Sequence, residues 1–308
     1  MPTPARRFEF VADRYEGATP AIGCDGLVPG AALDLTHWRG NKTPRPFKAD
    51  TSTEIALNFV AAPESESDAW SGAVVVNNHF DTDGVLSCWV VLEPEFTREH
   101  RDLLIAAAEA GDFDEWPALD RGLWLDAAIR ALAGRADDDA EAYAIVLAQL
   151  RELLPALDDR SDLWGAEWDQ LQRAQQALDS GALRIEHRGA VGLVQHAPGQ
   201  AEIPGPLLAR KLLPISRRYL LAFEQGDGTF SYRYERPRYA WAETVRRPPC
   251  PAPDAPAIAH ALGPDWTVDD LPGMTGIVQT CCPVTASPET VLAHLDSIDP
   301  VVIENPAA

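Results

Sequence analysis

Hydrophobic and polar positions along the first half of the chain form blocks that predict strands and helices in turn. Residues 73–76 are apolar and mainly β-branched, which is typical of a strand buried on both faces of a parallel sheet. Shorter strand-like runs occupy residues 7–12 and 31–35, and residues 85–92 form an apolar stretch of helical character. This alternation predicts an α/β fold in residues 1–180, with a parallel or mixed sheet flanked by helices.

Helix and strand signals also predict how the chain is divided. Thr51 and Glu54 match a capping box for a helix at residues 55–60. Helical spacing of apolar residues continues in residues 99–110, 119–133, 140–154 and 163–178. Later patterns predict strands at residues 183–188, 191–196, 219–223 and 230–234, and a short helix at 287–295. We therefore predict a smaller α+β domain in residues 181–308, rich in antiparallel strands, that closes a cleft against the first domain.

Composition and charge limit the partners of the chain. Among 308 residues there are 26 Lys and Arg but 47 Asp and Glu, which gives a formal net charge of −21. A chain this acidic is not expected to bind long nucleic acids, which need extended basic surfaces, but it can hold a small phosphorylated substrate. No apolar run reaches the ~20 residues of a membrane span, and no secretory signal is visible. We therefore expect a cytoplasmic protein without a membrane partner, and the oligomeric state stays open.

The main candidate site follows the strand at residues 73–76. His79, Asp81 and Asp83 occupy alternate positions there, and at the end of a strand such positions point to one side. Ligands of open α/β sheets bind at this carboxyl edge. Imidazole and carboxylates together favour a divalent transition metal, Mn²⁺ foremost, with Mg²⁺ or Zn²⁺ as alternatives. Helix capping is the alternative for one Asp, but a cap uses one side chain and this loop offers several polar ones.

A second polar loop follows the predicted strand at residues 33–35. It contains Asp34, His37 and Arg39 within six residues. If this strand is a neighbour of the strand at residues 74–76, the two loops open at the same place. Asp34 and His37 are then candidate metal ligands, His37 is also a candidate proton donor, and Arg39 is a candidate phosphate-binding residue. The alternative for His37 is a hydrogen-bonded structural histidine.

The Phe-Asp-Thr-Asp-Gly sequence of residues 80–84, following a hydrophobic strand, resembles the first motif of the DHH phosphoesterase superfamily. That superfamily includes single-strand exonucleases, phosphodiesterases of cyclic dinucleotides and nanoRNA, and manganese pyrophosphatases. The resemblance implies that His79, Asp81 and Asp83 bind Mn²⁺, and that a later Asp adds a further ligand. It covers about fifteen residues of the chain, which has no Asp-His-His triplet and lacks the Gly-rich motif of the second domain. The whole chain also resembles a family of bacterial proteins without an assigned function.

The later Asp that the resemblance implies has two candidates. Residues 112–117 are acidic and are predicted to form a loop after the helix that ends at Gly111. Asp112 is the preferred match and Asp114 the second choice. The alternative is a solvated loop whose side chains cap the next helix.

Residues 229–241 alternate aromatic residues with arginines and form the most basic stretch of this acidic chain. Such a stretch can hold a nucleotide or a phosphate by stacking and charge. The alternative is an edge strand whose arginines stack on the neighbouring aromatic rings.

Two functions of different classes follow from these residues. The first is a metal-dependent hydrolase of a phosphoester or phosphoanhydride bond in a small phosphorylated substrate. The second is a non-catalytic ligand- or metal-binding protein with a degenerate phosphoesterase-like site, which the missing Asp-His-His triplet favours. A hydrolase with a serine nucleophile is disfavoured because the chain has no Gly-x-Ser-x-Gly elbow.

Overall fold

The computed structural model describes residues 6–63, 68–271 and 274–300. The chain divides into two compact units, each described here by itself. The first unit comprises Met1–Trp168 and the short segment Ala242–Pro248, and the second comprises Asp169–Trp241 and Pro249–Ala308. The predicted α/β class, with a C-terminal part rich in antiparallel strands, is confirmed. The predicted cleft between two domains stays a prediction.

The sheet of the first unit consists of four parallel strands. They are β1 (Arg7–Phe10), β2 (Ala21–Cys24), β3 (Leu33–Leu35) and β4 (Val74–Asn77), in the spatial order β1-β4-β2-β3. All four residues of β4 are buried, as its β-branched run predicts. The sequence did not predict β2, and this strand lies between β3 and β4. The two loops expected on neighbouring strands are therefore separated by a third loop, the one that follows β2.

Seven α-helices lie between β3 and the second sheet in the described part of the chain. They are α1 (Ser52–Val60), α2 (Thr82–Leu92), α3 (Pro94–Arg98), α4 (Arg101–Phe113), α5 (Asp120–Ala133), α6 (Asp139–Ala156) and α7 (Ser161–Ser180). Thr51 caps α1 by accepting the N–H of Glu54, as predicted. The expectation that Asp112 lies on a loop is wrong. Helix α4 continues through Gly111 to Phe113, so that Asp112 lies in its last turn.

Helix α2 is buried over almost its entire length, which agrees with its lack of charged residues after the first turn. Its apolar side chains belong to one core cluster with residues of α1, α4, α5 and α6 and of strands β2 to β4. Val75 of β4 and Leu86 of α2 are fully buried in this cluster. The core therefore fixes the start of α2, where the candidate site residues lie, against the carboxyl edge of the sheet.

The second unit contains a mixed six-stranded sheet. Its strands are β5 (Leu183–Arg188), β6 (Val191–His196), β7 (Arg218–Glu224), β8 (Phe230–Glu235), β9 (Trp266–Leu271) and β10 (Met274–Thr280), in the order β5-β6-β7-β8-β10-β9. Among the strands described for this unit, only β6 and β7 pair in parallel, and α8 (Gly205–Leu212) lies between them in sequence. Two further helices, α9 (Ala255–Leu262) and α10 (Pro288–Ile298), contribute to its core. The strands predicted at residues 183–188, 191–196, 219–223 and 230–234 are observed, and β5 pairs antiparallel with β6, as β7 does with β8.

Residues 230–235 of the aromatic and basic stretch form β8, which pairs with β7 and β10 and is therefore not an edge strand. Tyr232 and Tyr234 are buried in the core of the second unit. Arg233 forms ion pairs with Glu202 and Glu235. The charge of Arg233 is thus compensated by two carboxylates within the same unit, which weakens the prediction of a phosphate-binding role for it.

Among the residues that the structure describes, no helix combines the length and the apolar character that a membrane span requires.

Two helical glycines give a test of the packing between α4 and α5. A Cβ atom on Gly122 would lie 2.7 Å from backbone and side-chain carbon atoms of Ala106, whereas on Gly165 its nearest neighbour would be 3.7 Å away. We expect Gly122→Ala to lower the free energy of unfolding by about 1–3 kcal/mol, because the two helices must separate. Gly165→Ala should raise it by about 0.5–1 kcal/mol through helix propensity. Urea denaturation measures both, and equal effects of the two substitutions would contradict the close helix contact.

Candidate metal centre

Asp25, directly after β2, is the residue around which the candidate site is built. Its backbone has a φ of 62°, in the left-handed region that Asp tolerates better than most residues, and its side chain is fully buried. The turn continues at Gly26, where a Cβ atom would lie 2.0 Å from the Asn78 side-chain oxygen. A larger residue at this position would displace the Asn78 side chain, and the turn directs the Asp25 carboxylate towards the loops after β3 and β4.

A buried group of possible ligands comprises Asp25, His37 and Asp83, whose ligand atoms all lie within 4.8 Å of one another. His37 Nε2 is 3.6 Å from Asp25 Oδ1 and 3.8 Å from Asp83 Oδ2. The same nitrogen is 3.2 Å from Asp112 Oδ2, contributed by the last turn of α4. One imidazole nitrogen therefore faces three carboxylates in a region closed to solvent.

A second group comprises Asp25, His79 and Asp81 and is partly open to solvent. His79 Nε2 lies 2.9 Å from Asp25 Oδ2 and 3.1 Å from Asp81 Oδ2. The side chains of His79 and Asp81 are 27% and 35% exposed, whereas that of Asp25 is 1% exposed. Asp25 is thus shared between a closed group and a group that a substrate can reach.

Two of these carboxylates also bind helix N-termini. Asp81 caps α2, because its Oδ1 accepts the N–H of Gly84 at 2.7 Å, while its Oδ2 faces His79. The Asp83 oxygens accept the N–H groups of Ser52 and Thr53, both at 2.7 Å, at the start of α1. The alternative of helix capping is therefore correct for Asp81, but it does not exclude a place in the cluster. Each carboxylate oxygen has a second lone pair that can accept another partner.

Asn77 and Tyr143 connect the loop after β2 with the loop after β4. Asn77 Oδ1 accepts the N–H of Gly26 at 3.0 Å, and its Nδ2 donates to the Tyr143 hydroxyl at 2.7 Å. That hydroxyl donates to the backbone oxygen of His79 at 3.1 Å. A Cβ atom on Gly84 would lie 2.6 Å from the Asn77 side-chain nitrogen. The distance between Asp25 and His79 is therefore set by a buried hydrogen-bond network as well as by their own contact.

Thr82, between the two aspartates of the motif, anchors the start of α2. Its Oγ1 donates to Asp126 Oδ1 at 2.6 Å, and Arg130 donates to Asp126 Oδ2 at 2.9 Å. A Cβ atom on Gly111 would lie 2.7 Å from both Asp126 Oδ1 and Thr82 Cβ. Gly111 thus lets α4 approach the motif closely enough for the next residue, Asp112, to reach the cluster.

Three side chains of the cluster, Asp83, Asp112 and His79, have raised pKa values. Burial, reinforced by the charge of Asp25, raises the pKa of Asp83 to about 7. Burial and the neighbouring carboxylates raise the pKa of Asp112 well above its ordinary value. Burial disfavours the charged form of His79, but hydrogen bonds to Asp25 and Asp81 outweigh it and raise its pKa to about 11. Burial likewise opposes ionisation of Asp25, yet His79 and His37 hold its pKa below the ordinary value.

The structure brings together five of the seven residues that the sequence singled out. His37, His79, Asp81, Asp83 and Asp112 converge, whereas Asp34 belongs to neither ligand group among the described residues. Asp34 is half-buried, accepts the backbone N–H of Lys42 and lines a separate cavity of about 480 Å³. Asp34 lies within β3, which ends one residue later, ahead of the loop that contains His37. Arg39 is exposed, and its phosphate-binding role stays a prediction.

Sequence reasoning missed Asp25, although a signal was present. Ala21–Cys24 is a short apolar run followed by Asp25-Gly26, the same order of strand and Asp-Gly pair that marks the loop after β4. Four residues that include a glycine give a weak strand pattern. The second-choice ligand Asp114 is the left-handed C-cap of α4, with a φ of 52°.

A parallel sheet whose carboxyl edge holds buried histidines and carboxylates defines an α/β protein with side chains that can bind a divalent metal. The chain belongs to the family of unknown function DUF6687, whose model matches residues 6–279. No curated protein matches the chain in sequence.

Seven chains of solved structures match this chain. One is a pGpG-specific phosphodiesterase, PggH, from Vibrio cholerae, with 11% identity and a TM-score of 0.44. The alignment covers 91% of this chain and 83% of that chain.

The Thr82 anchor can be tested with a matched threonine. Thr97 is equally buried, but its hydroxyl donates only to the backbone of Glu93 within the same helical turn. Thr82→Val should lower the free energy of unfolding by about 1–3 kcal/mol, because Asp126 loses a buried partner. It should also weaken Mn²⁺ binding, whereas Thr97→Val should leave binding unchanged. Urea denaturation measures the free energy of unfolding of both variants, and titration with Mn²⁺ measures their metal affinity. Unchanged Mn²⁺ affinity in folded Thr82→Val protein would contradict an anchoring role.

The raised pKa values predict how pH affects the protein freed of metal by chelation. Asp83 and His79 hold protons in the folded state at pH values where they lose them in the unfolded state. The free energy of unfolding should therefore fall between pH 6 and pH 8, by at most about 1.4 kcal/mol per pH unit for each group. Mn²⁺ must displace these protons, so its stabilisation should be larger at pH 8. Thermal denaturation measures both effects, and His79→Asn should flatten the pH dependence. If the free energy of unfolding of the metal-free protein instead rises between pH 6 and pH 8, the raised pKa values of Asp83 and His79 are contradicted.

Proposed function

We propose that the protein is a metal-dependent hydrolase of a phosphoester or phosphoanhydride bond in a small phosphorylated substrate. The observation that carries this proposal is the sharing of Asp25 between a closed group and an open group of histidines and carboxylates. A closed group suits the retention of an ion, and an open group suits contact with a substrate. Both lie at the carboxyl edge of a parallel sheet, where such folds bind ligands.

The donor set fits divalent metal ions. Four carboxylates and two imidazoles leave an excess of negative charge in a largely buried cluster, and a cation would offset it. Imidazole nitrogen favours Mn²⁺ or Zn²⁺ over Mg²⁺. We assign one ion to Asp25, His37, Asp83 and Asp112 and a second to Asp25, His79 and Asp81, with Mn²⁺ as the expected metal.

Such ions would polarise a phosphoryl oxygen and lower the pKa of a water molecule. The chain's own residues have separate tasks. Ser52 donates its hydroxyl to Asp25 Oδ1 at 2.8 Å and so fixes the orientation of the shared carboxylate. His79 and Asp81 form the accessible side of the cluster, and the ring of Trp38 lies 5.2 Å from that of His79. Arg39, on the exposed loop after β3, would offset phosphate charge.

The resemblance to the DHH phosphoesterase motif supports the same proposal. His79, Asp81 and Asp83 occupy the positions that the resemblance assigns to metal ligands. The chain lacks the Asp-His-His triplet of that superfamily. We propose that Asp25 and His37, from the loops after β2 and β3, supply the missing carboxylate and imidazole. The superfamily relationship itself remains part of the proposal.

One observation favours the alternative of a non-catalytic binding protein. Both oxygens of Asp83 accept backbone N–H groups of α1, and Asp81 caps α2, so that two carboxylates have structural partners without any metal. A protein that binds Mn²⁺ but hydrolyses no phosphoester or phosphoanhydride would agree with this alternative.

Asp25→Asn tests the proposal at the residue that both groups share. We expect Mn²⁺ binding to weaken and hydrolysis to fall by about a hundredfold, ~2.7 kcal/mol in the activation free energy. Titration with Mn²⁺ and a substrate panel of bis(p-nitrophenyl) phosphate, pyrophosphate and a linear dinucleotide provide the measurements. Asp34→Asn is the matched control, because Asp34 lies outside both groups and should tolerate the same change. Unchanged metal binding and hydrolysis in Asp25→Asn would refute the proposal.

A further inference from the structure

The segment Ala242–Pro248 belongs to the first unit, although the chain on both sides of it belongs to the second. Its residue Arg247 has a side chain that is only 13% exposed and lies among three carboxylates. The guanidinium donates to Asp50 at 2.7 Å, to Glu115 at 2.6 Å and to Glu109 at 3.1 Å. These carboxylates come from the loop before α1 and from the C-terminal end of α4. One side chain therefore joins two segments that each lead to the candidate metal centre.

Asp50 connects Arg247 with His37. Its carboxylate also accepts the backbone N–H groups of Val245 and Arg246, at 2.5 and 2.9 Å, so that its position is fully determined. Its backbone oxygen lies 2.6 Å from His37 Nδ1. A carbonyl oxygen can only accept, so Nδ1 carries a proton, and the other ring nitrogen is Nε2. This nitrogen is the one that faces the three carboxylates of the closed group.

The end of α4 connects Arg247 with Asp112. Glu109 and Glu115 lie on either side of Asp112 in sequence, and both are bound to the same guanidinium. The guanidinium also lies over the ring of Phe113, 4.5 Å from its centroid. That ring is 5.6 Å from the imidazole of His37. Arg247 thus fixes the backbone on both sides of Asp112 and the ring that packs against His37.

We infer that Arg247 is a positioning residue of the candidate metal centre, which holds His37 in one tautomer and at a fixed distance from Asp112. The inference rests on the proposed metal-binding function. Arg247 acts on the cluster indirectly, through Asp50 and the end of α4, because its guanidinium binds Asp50, Glu109 and Glu115. A planar guanidinium can donate to carboxylates in several directions at once, which the single ammonium of lysine cannot reproduce.

The neighbouring Arg246 provides a matched control. Its side chain is 55% exposed, and it donates to both oxygens of Glu54, at 2.8 and 2.6 Å. It approaches Asp50 Oδ2 at 3.3 Å, and its hydrogen-bond partner Glu54 lies on α1 rather than on α4. Arg246→Met removes the same charge from the same segment, and Arg247→Met removes the connection to His37 and Asp112.

The test compares Arg247→Met, Arg247→Lys and Arg246→Met with the unmodified full chain. ¹⁵N-histidine NMR of the metal-free proteins at pH 8 reports the tautomer of His37, and the electron paramagnetic resonance signal of free Mn²⁺ reports the dissociation constant. We expect the Nδ1–H signature of His37 in the unmodified chain and in Arg246→Met. In Arg247→Met this signature should be lost and the Mn²⁺ dissociation constant should rise at least tenfold, with at most a twofold change in Arg246→Met.

Arg247→Lys keeps a cation among the three carboxylates and serves as the folded variant if Arg247→Met does not fold. It should show the altered His37 signature and weaker Mn²⁺ binding despite retaining the charge. Folded Arg247 variants that keep both the signature and the Mn²⁺ affinity of Arg246→Met would overturn the inference. If the unmodified chain binds no Mn²⁺, the proposed function fails, while loss of the His37 signature in the Arg247 variants would still support positioning.

Discussion

The burial of the Asp25 carboxylate is the constraint on which the arrangement of the first unit depends. A carboxylate removed from water costs several kcal/mol unless charged or hydrogen-bonding partners replace the solvent. Asp25 obtains these partners from His79, from Ser52 and, at a longer distance, from His37. Each partner comes from a different segment: the loop after β4, the start of α1 and the loop after β3. Because the buried Asp25 carboxylate needs these partners, three separate segments pack against the end of β2.

The same groups that stabilise the fold also shape the candidate site. Asp83 accepts two backbone N–H groups at the start of α1, and Asp81 caps α2, so that each helix begins at the cluster. Glycines at positions 26, 84 and 111 let backbone and side chains approach where any Cβ atom would collide. Because these contacts serve both purposes, substitutions in the cluster are expected to change stability as well as ligand binding.

The sequence predicted much of this arrangement through local patterns. The β-branched run of β4, the buried helix α2 and the hairpins of the second unit each leave a clear periodic signal, and all of them are observed. It did not predict β2, because four residues that include Gly23 carry little pattern. It also ended α4 at Gly111, which is a common position for a helix to stop. In the structure this glycine continues the helix, because its missing side chain makes room for Thr82 and Asp126.

The sequence by itself determined the class of fold and the loop that contains His79, Asp81 and Asp83. The apolar residues of a buried strand and the polar residues that end it are next to each other in sequence, so a local pattern is enough to predict both. Only the tertiary structure decided which other side chains meet this loop. The strand order places β2 between β4 and β3 and so brings Asp25 to the centre. Arg247 reaches Asp50 across 197 positions of sequence. Contacts of this kind depend on how strands pair and where a distant segment packs, and no local period of hydrophobic residues encodes them.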